Sequence, residues 1–452
     1  MELCQNVDNA VVLARRGEIR SPENSLLCVF GQANPALTAD GWIGRFSSDK
    51  LPSHLFSKPK PYLIMKRIML LCLTAIAMSG SHSLYAQSSK SDFMSDDKSL
   101  FEEVTGIKKK TDKFNLYLNM HGDFNMKWNE SGFDQGAFEM KQLRIEMKGN
   151  INDWLSYRYR QRLNRGNDGS GNIDNVPTSI DYAGIGVKLD KFSFFAGKQC
   201  TAYGGIEFDV NPIDIYEYSD MIENMNNFMT GLNVAYNYNP YQQIQFQVLN
   251  SLNGPSKEMY GDLERTKLPL VYTLNWNGNF LDVFKTRWSA SVMNETKGEK
   301  MYYYALGNEF NFNPQWHAYF DWMYSREGVD RKGIITRMIG GDLNHNVFNA
   351  EYMSYVLHVN YRFAPKWNLF AKGMYETASV YKSSDEVEKG KYRTAWGYVG
   401  GIEYYPMETN LHFFLAYTGR SYRFTDRAKA LGEDNYSTNR VSVGFIWQMP
   451  VF

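Results

Sequence analysis

The chain has 452 residues with 49 basic and 49 acidic side chains, so its formal net charge is zero and gives no support to nucleic acid as a partner. Aromatic residues make up 15% of the chain, more than a soluble core of this size requires. The mean hydropathy of −0.46 argues against a bundle of membrane helices.

An export signal is predicted at residues 65–86. Met65 is followed by the basic pair Lys66 and Arg67 and by an apolar run of roughly ten residues. Small and polar residues then lead to Ala86, after which we predict cleavage. The apolar run is too short to span a membrane. The sequence therefore predicts an exported protein.

Residues 1–64 precede this signal and carry no sustained periodicity. We interpret them as a non-native extension from a start codon assigned too far upstream, and we expect them to be disordered; a genuine long leader is the alternative. Residues 87–113 form a predicted periplasmic arm, in which Leu100–Val104 adopts one or two helical turns or stays disordered. Cys200 is the single cysteine of the predicted mature chain, which excludes an internal disulfide and a thiolate metal site.

Two alternating segments follow, joined by the short polar link Asn150–Asp153. Period-two alternation is typical of strands with one apolar and one polar face, and the link suits a tight hairpin. The apolar faces carry Leu143, Ile145, Met147, Tyr157 and Tyr159, and the polar faces carry Arg144, Glu146, Lys148, Arg158, Arg160 and Arg162.

The same alternation continues from residue 114 to residue 452, with no helical periodicity between strands. Seven short links at 150–153, 190–191, 239–241, 277–279, 313–314, 364–366 and 406–408 separate eight longer polar segments at 125–137, 165–179, 200–228, 251–266, 295–300, 327–349, 379–394 and 424–438. This spacing predicts an all-β fold: a sixteen-stranded antiparallel transmembrane β-barrel with short periplasmic turns and long outer loops. Residues 334–343 could form another strand, but we assign them to a loop because one added strand would break the even count.

The polar face of the second alternating segment indicates a row of cations in a water-filled lumen. Arg158, Arg160 and Arg162, with Arg144 and Lys148 on the neighbouring strand, would form a basic wall. Such rows raise the local anion concentration, and guanidinium groups suit phosphate and carboxylate. The alternative is a set of solvated lumen residues balanced by acidic groups across the pore, as in general diffusion pores.

The segment 200–228 is long and rich in apolar residues, which an outer loop exposed to water does not need. We therefore expect it to fold into the lumen as a constriction loop facing the basic wall. An adhesive or oligomer-facing loop is the alternative, and calcium binding has no diagnostic ligand spacing here. The acidic residues of this loop are Glu207, Asp209, Asp214, Glu217, Asp220 and Glu223.

No catalytic set emerges from the sequence, because none of the histidines beyond Ala86 lies in a recognisable nucleophile context. We therefore predict no enzyme activity, no metal centre and no cofactor. The last strand alternates, places Arg440 on its lumen face and ends in Phe452. A terminal aromatic strand of this kind resembles the assembly signal of outer-membrane barrels, which predicts that location for the protein.

Residues 114–452 resemble the phosphate-selective porin O and P family, in a branch typical of Bacteroidetes outer membranes. The resemblance implies a homotrimeric porin whose third outer loop folds inward. Of the paired arginines in an early strand of the family, this chain has Lys141 and Arg144. The matching motifs are Phe138-x-x-Lys141-x-Leu-Arg144-x-x-x-Lys148-Gly149, Asp153-Trp154-x-x-Tyr157-Arg158, Ile180-Asp181-Tyr182-Ala183, Phe194-x-Ala196-Gly197-Lys198-Gln199 and Tyr216-Glu217-Tyr218-Ser219.

These observations lead us to expect a passive diffusion channel in outer-membrane lipid. It would pass small hydrophilic solutes and favour anions such as phosphate. The alternative is a non-transport barrel that anchors a partner or a structural element through its long loops.

Overall fold

The computed structural model describes residues 99–169, 172–251, 259–340, 343–407 and 410–452. The predicted upstream extension, the signal peptide and residues 87–98 of the predicted arm lie outside these residues. No helix within the described ranges combines the length and apolarity needed to cross a membrane.

Sixteen antiparallel strands form a closed barrel in which each strand pairs with its sequence neighbours and β1 pairs with β16, as predicted. Closure satisfies the backbone hydrogen bonds of every strand and leaves no free edge. The strands are β1 Asn115–Asn129, β2 Gly132–Asn150, β3 Leu155–Arg162, β4 Ile180–Leu189, β5 Phe192–Cys200, β6 Phe228–Asn239, β7 Gln242–Asn250, β8 Leu270–Phe280, β9 Phe284–Asn294, β10 Lys300–Asn313, β11 Trp316–Val329, β12 Phe348–Ala364, β13 Trp367–Val380, β14 Gly390–Tyr404, β15 His412–Phe424 and β16 Tyr436–Pro450.

Alternation of side chains separates an outer face that is largely apolar from an inner face that carries polar groups and part of the apolar core. On β13, Leu369 is exposed on the outer face, whereas its neighbours Asn368 and Phe370 are buried on the inner face. A period of two residues produces this division because successive side chains of a strand point to opposite faces. The pattern of the sequence therefore fixes which residues meet the lumen.

One outer loop and one short periplasmic turn differ from the sequence prediction. The predicted outer loop 125–137 is wrong, because β1 and β2 continue to a two-residue turn after Asn129. An ion pair joins the two strands of this hairpin: Lys127 Nζ on β1 lies 2.6 Å from Glu139 Oε1 on β2, diagonal to the register, which sets Lys127 opposite Gln135. At the short-turn end, β8 extends to Phe280, so the turn predicted at 277–279 lies at 281–283.

Short helices outside the strands of the described residues include α1 Leu100–Thr105, α2 Asp220–Glu223, α3 Ile334–Ile339 and α4 Asp426–Lys429, and Pro212–Asp214 forms a 3₁₀ turn. Helix α1 begins with a capping box between Ser99 and Glu102, and its Phe101 ring lies 4.9 Å from the Phe452 ring. Helix α3 occupies the β11–β12 loop, so the described residues of the segment 334–343 add no strand and the even strand count is kept.

The apolar core lies inside the barrel, because the segment between β5 and β6 folds into it. Residues 201–227, named here the inner loop, bury Tyr203, Ile213 and Met221 against inward-facing side chains such as Tyr303 and Phe370. The same cluster includes Ile334 and Ile335 of α3. The lumen therefore contains a folded loop as well as polar wall residues.

Candidate functional site

Three arginines of the predicted basic wall meet at one carboxylate. Arg144 Nη1 on β2 donates to Asp181 Oδ2 at 2.9 Å, and Arg160 Nε on β3 donates to the same oxygen at 3.1 Å. Arg162 Nε donates to Asp181 Oδ1 at 2.9 Å. Because the register pairs Arg144 with Arg162, one carboxylate at the start of β4 can reach all three guanidinium groups.

The lower part of this wall uses a second carboxylate, Glu146. Arg158 donates to it from Nε at 2.8 Å, and its Nη2 lies 2.7 Å from the same oxygen. Lys148 stands beside it, with Nζ 5.0 Å from the centre of the Tyr117 ring. The group formed by the five predicted cations, Glu146 and Asp181 thus holds more positive than negative charge.

Two of the four arginines are accessible to water inside the barrel. The side chains of Arg158 and Arg162 are 24% and 23% exposed, whereas those of Arg144 and Arg160 are 1% and 6% exposed. The Tyr182 ring makes cation–π contacts with two of these arginines: Arg158 Cζ lies 3.9 Å and Arg160 Cζ lies 4.9 Å from the ring centre. The geometry separates two buried, structural arginines from two that a solute can touch.

In the described residues, four carboxylates of the inner loop form ion pairs with cations outside this basic wall, although the sequence predicts that they face it. Glu217 lies 3.0 Å from Arg440, and Asp209 lies 2.7 Å from Arg287. Glu207 pairs with Lys372, and Asp220 pairs with Arg393 and, at 2.5 Å, with Arg420. Asp214 and Glu223 are exposed.

Backbone and ring contacts explain where the inner loop lies. The amides of Ile206 and Glu207 donate to Asp321 of β11 at 2.7 and 2.8 Å. The Tyr216 ring stacks on Phe370 of β13 with centroids 4.5 Å apart. At β10, a Cβ on Gly307 would come within 2.7 Å of the Gly205 Cα, so the loop lies directly on the wall. These contacts direct the loop toward β9–β16 and its carboxylates toward the cations there.

The sequence pattern alone does not reveal most partners of these charged groups. Asp181 occurs in the motif Ile180-Asp181-Tyr182, but its position beside β3 depends on a register that the alternation does not specify. The cations that receive the inner loop are inward-facing members of their strands, a signal that alternation alone could have supplied. They are Arg287, Lys372, Arg393 and Arg420, together with the predicted lumen residue Arg440.

Among the described residues, no cluster of histidine, cysteine, aspartate and glutamate has an arrangement that could hold a metal ion.

The family model of the phosphate-selective porins O and P matches residues 114–449. No curated protein shows significant similarity to the chain. Similar solved structures include the outer membrane channel DcaP of Acinetobacter baumannii, with 12% identity, 74% of this chain and 97% of that chain covered, and a TM-score of 0.47. An anion-selective porin from Comamonas acidovorans is 10% identical, with 74% of this chain and 99% of that chain covered and a TM-score of 0.46. Salmonella typhi OmpF in complex with daunomycin is 14% identical, with 76% of this chain and 99% of that chain covered and a TM-score of 0.49.

Proposed function

Because the chain belongs to the phosphate-selective porin O and P family and forms an outer-membrane channel, we propose that it passes small hydrophilic solutes and favours anions such as phosphate. Membership of this family points to a channel rather than an enzyme. Selectivity would arise from the basic wall on β2 and β3.

The observation that carries this proposal is the uneven distribution of ion pairs inside the barrel. The inner-loop carboxylates Glu207, Asp209, Glu217 and Asp220 pair with cations on β9 and β13–β16. The arginines of the basic wall share Asp181 and Glu146, two carboxylates for five cations, so this side of the lumen would keep a positive charge. A field from this wall would extend roughly 10 Å at 0.1 M salt before screening weakens it. Anions entering the lumen would concentrate beside it.

Arg158 and Arg162 would act as two successive contact points. They lie four residues apart on β3, which corresponds to about 13 Å along a strand. Arg162 is nearer the long-loop end and Arg158 nearer the short-turn end. Each guanidinium can bind an oxyanion through two parallel hydrogen bonds. Arg158 already donates to Glu146 and Arg162 to Asp181, so fewer of their N–H groups remain for an anion. Two such sites in series would bind an anion weakly enough to release it onward.

Single-channel recording in planar bilayers tests this function. We expect discrete conductance steps in potassium chloride, and inorganic phosphate should reduce the chloride current by occupying the arginines. Conductance without any phosphate effect would indicate a general diffusion pore. A folded, inserted barrel that gives no conductance would favour the alternative of a non-transport barrel.

We also propose a homotrimer, as the family implies, with β3–β5 at the subunit interface. Strand β3 has eight residues, fewer than the roughly nine to eleven that a tilted strand needs to span a bilayer. A neighbouring copy would cover the short strands β3–β5. Strands β10–β16, with 13 to 17 residues each, would face lipid.

Lipid access distinguishes the two sides of the barrel. A fluorescent label at Ile185→Cys on β4 should be poorly quenched by spin-labelled lipid, in a Cys200→Ser background. The same label at Leu415→Cys on β15, a residue equally exposed in the single chain, should be strongly quenched. Equal quenching at both positions would exclude an interface at β4, and sedimentation would give the number of subunits.

A further inference from the structure

A cavity of about 230 Å³ lies at the long-loop end of the lumen, next to the inner loop. Its wall consists of Arg393 on β14, Tyr422 and Phe424 on β15 and Tyr436 on β16. Arg337 of α3 and Glu433 from the β15–β16 loop line its other sides. The cavity is separate from the arginines of the basic wall and lies where solutes enter from the outer side.

The wall of this cavity presents aligned aromatic faces to water. The rings of Tyr422 and Tyr436, which are paired in the strand register, stack with centroids 4.6 Å apart. The Phe424 ring lies 6.1 Å from that of Tyr436 at an angle of 26°. Tyr436 is 39% exposed even though it points into the barrel, where contact with lipid cannot account for it. An apolar ring face in this position suits a ring-shaped solute.

The charged groups of the cavity balance one another. Asp220 is already held by Arg393 and Arg420. Among the described residues Glu433 forms no ion pair, and the one hydrogen bond of the Arg337 guanidinium is to Lys332 O at 3.5 Å. The cavity thus offers an acceptor and donors that a polar solute would satisfy.

We propose that this cavity binds a neutral sugar ring. One face of such a ring carries C–H bonds that pack on Tyr436, and its hydroxyls both donate to Glu433 and accept from Arg337. Phosphate can accept from the arginine but would be repelled by the Glu433 carboxylate. The volume equals that of several water molecules at about 30 Å³ each, which fits one ring better than an extended chain.

Current fluctuations of the channel test this proposal, with D-glucose added to the outer side. Glucose should interrupt the current reversibly. Tyr436→Ala should weaken this block about tenfold, the loss of roughly 1.4 kcal/mol. Tyr436→Phe should retain it. Glu433→Ala, at an exposed loop, should weaken it by removing the acceptor. Tyr417→Ala on the outer face of β15 is the matched control and should behave as the parent.

Three other results would overturn the proposal. Block by inorganic phosphate that Tyr436→Ala or Glu433→Ala removes, without block by glucose, would make the cavity an anion site. Glucose block that is equal in the parent, Tyr436→Ala and Glu433→Ala would place the sugar elsewhere. The absence of any glucose effect in the parent would mean that the cavity holds water alone. Parent-like conductance and heat-dependent gel mobility would show that each variant is folded.

Discussion

Asp181 is the residue on which the basic wall depends. It is fully buried and accepts from Arg144, Arg160 and Arg162, so it keeps three guanidinium groups within one hydrogen-bonded cluster. Without a carboxylate there, the buried cations would repel one another with little water to screen them.

Asp181→Asn should therefore destabilise the barrel by about 3–5 kcal/mol, the usual cost of breaking a buried ion pair. Equilibrium unfolding in urea with lipid vesicles measures this change. Asp134→Asn, on the exposed β1–β2 hairpin, is the control and should have little effect. An unchanged midpoint for Asp181→Asn would show that the cluster does not stabilise the fold.

Arg158 and Arg162 are the arginines that a solute can touch, and their shape should matter as well as their charge. Replacing both with lysine keeps the charge but removes the planar fork. We expect phosphate block of the current to weaken while chloride conductance changes little. Equal changes in both quantities would mean that phosphate is attracted by charge alone, without bidentate hydrogen bonds.

At the scale of elements, the inner loop determines both the free cross-section and the charge balance. Deleting residues 209–220 removes apolar packing and frees Arg393, Arg420 and Arg440 from Asp220 and Glu217. Conductance should rise, and selectivity should move toward anions because these cations lose their partners. Conductance equal to that of the parent would show that the loop does not limit the path.

The loops at the outer end contain a buried acid, Glu295, between β9 and β10. It accepts from the Val329 amide at 3.1 Å, and burial raises its pKa to about 8, although the nearby Arg331 opposes this shift. An acid with a raised pKa holds a proton in the folded loops that it loses in the unfolded chain. The stability of this loop packing should therefore fall as the pH rises from about 4.5 to about 8, and should be level above that range.

Hydrogen-exchange protection factors of the β11–β12 loop, measured across this pH range, check the expectation. Glu295→Gln should reduce the dependence, because the amide stays neutral. The remainder is expected from Asp330 of the β11–β12 loop, since burial also raises the pKa of that carboxyl. Glu299→Gln, in the same β9–β10 connection, is the control. A parent protein whose protection factors do not change between these pH values would contradict the raised pKa.

The elements also show which inferences the sequence supports. Alternation identified the strands and the inward direction of Arg144 and Arg158, because a period of two residues is a local property. It failed at residues 125–137, a polar segment assigned to a loop although β1 and β2 continue through most of it to a two-residue turn after Asn129. It also failed to pair the inner loop with its partners, because Asp220 meets Arg420 across 200 positions of chain and only tertiary packing brings them together.

At the scale of the whole molecule, a net charge of zero conceals an uneven distribution. The cations of β9 and β13–β16 pair with the inner loop, whereas those of β2 and β3 share Glu146 and Asp181. The central claim is that this second group sets the preference for anions. It depends on position within the lumen and not on total charge, which is why composition could not establish it.

The reversal potential in a potassium chloride gradient tests this claim most directly. The parent channel should favour chloride, and the double variant Arg158→Gln, Arg162→Gln should shift the potential toward potassium, most strongly at low salt where screening is weakest. Arg423→Gln, at an exposed position on the outer face of β15, should leave the potential unchanged. If the folded double variant keeps the parent's reversal potential at low salt, the basic wall is structural and the account is contradicted.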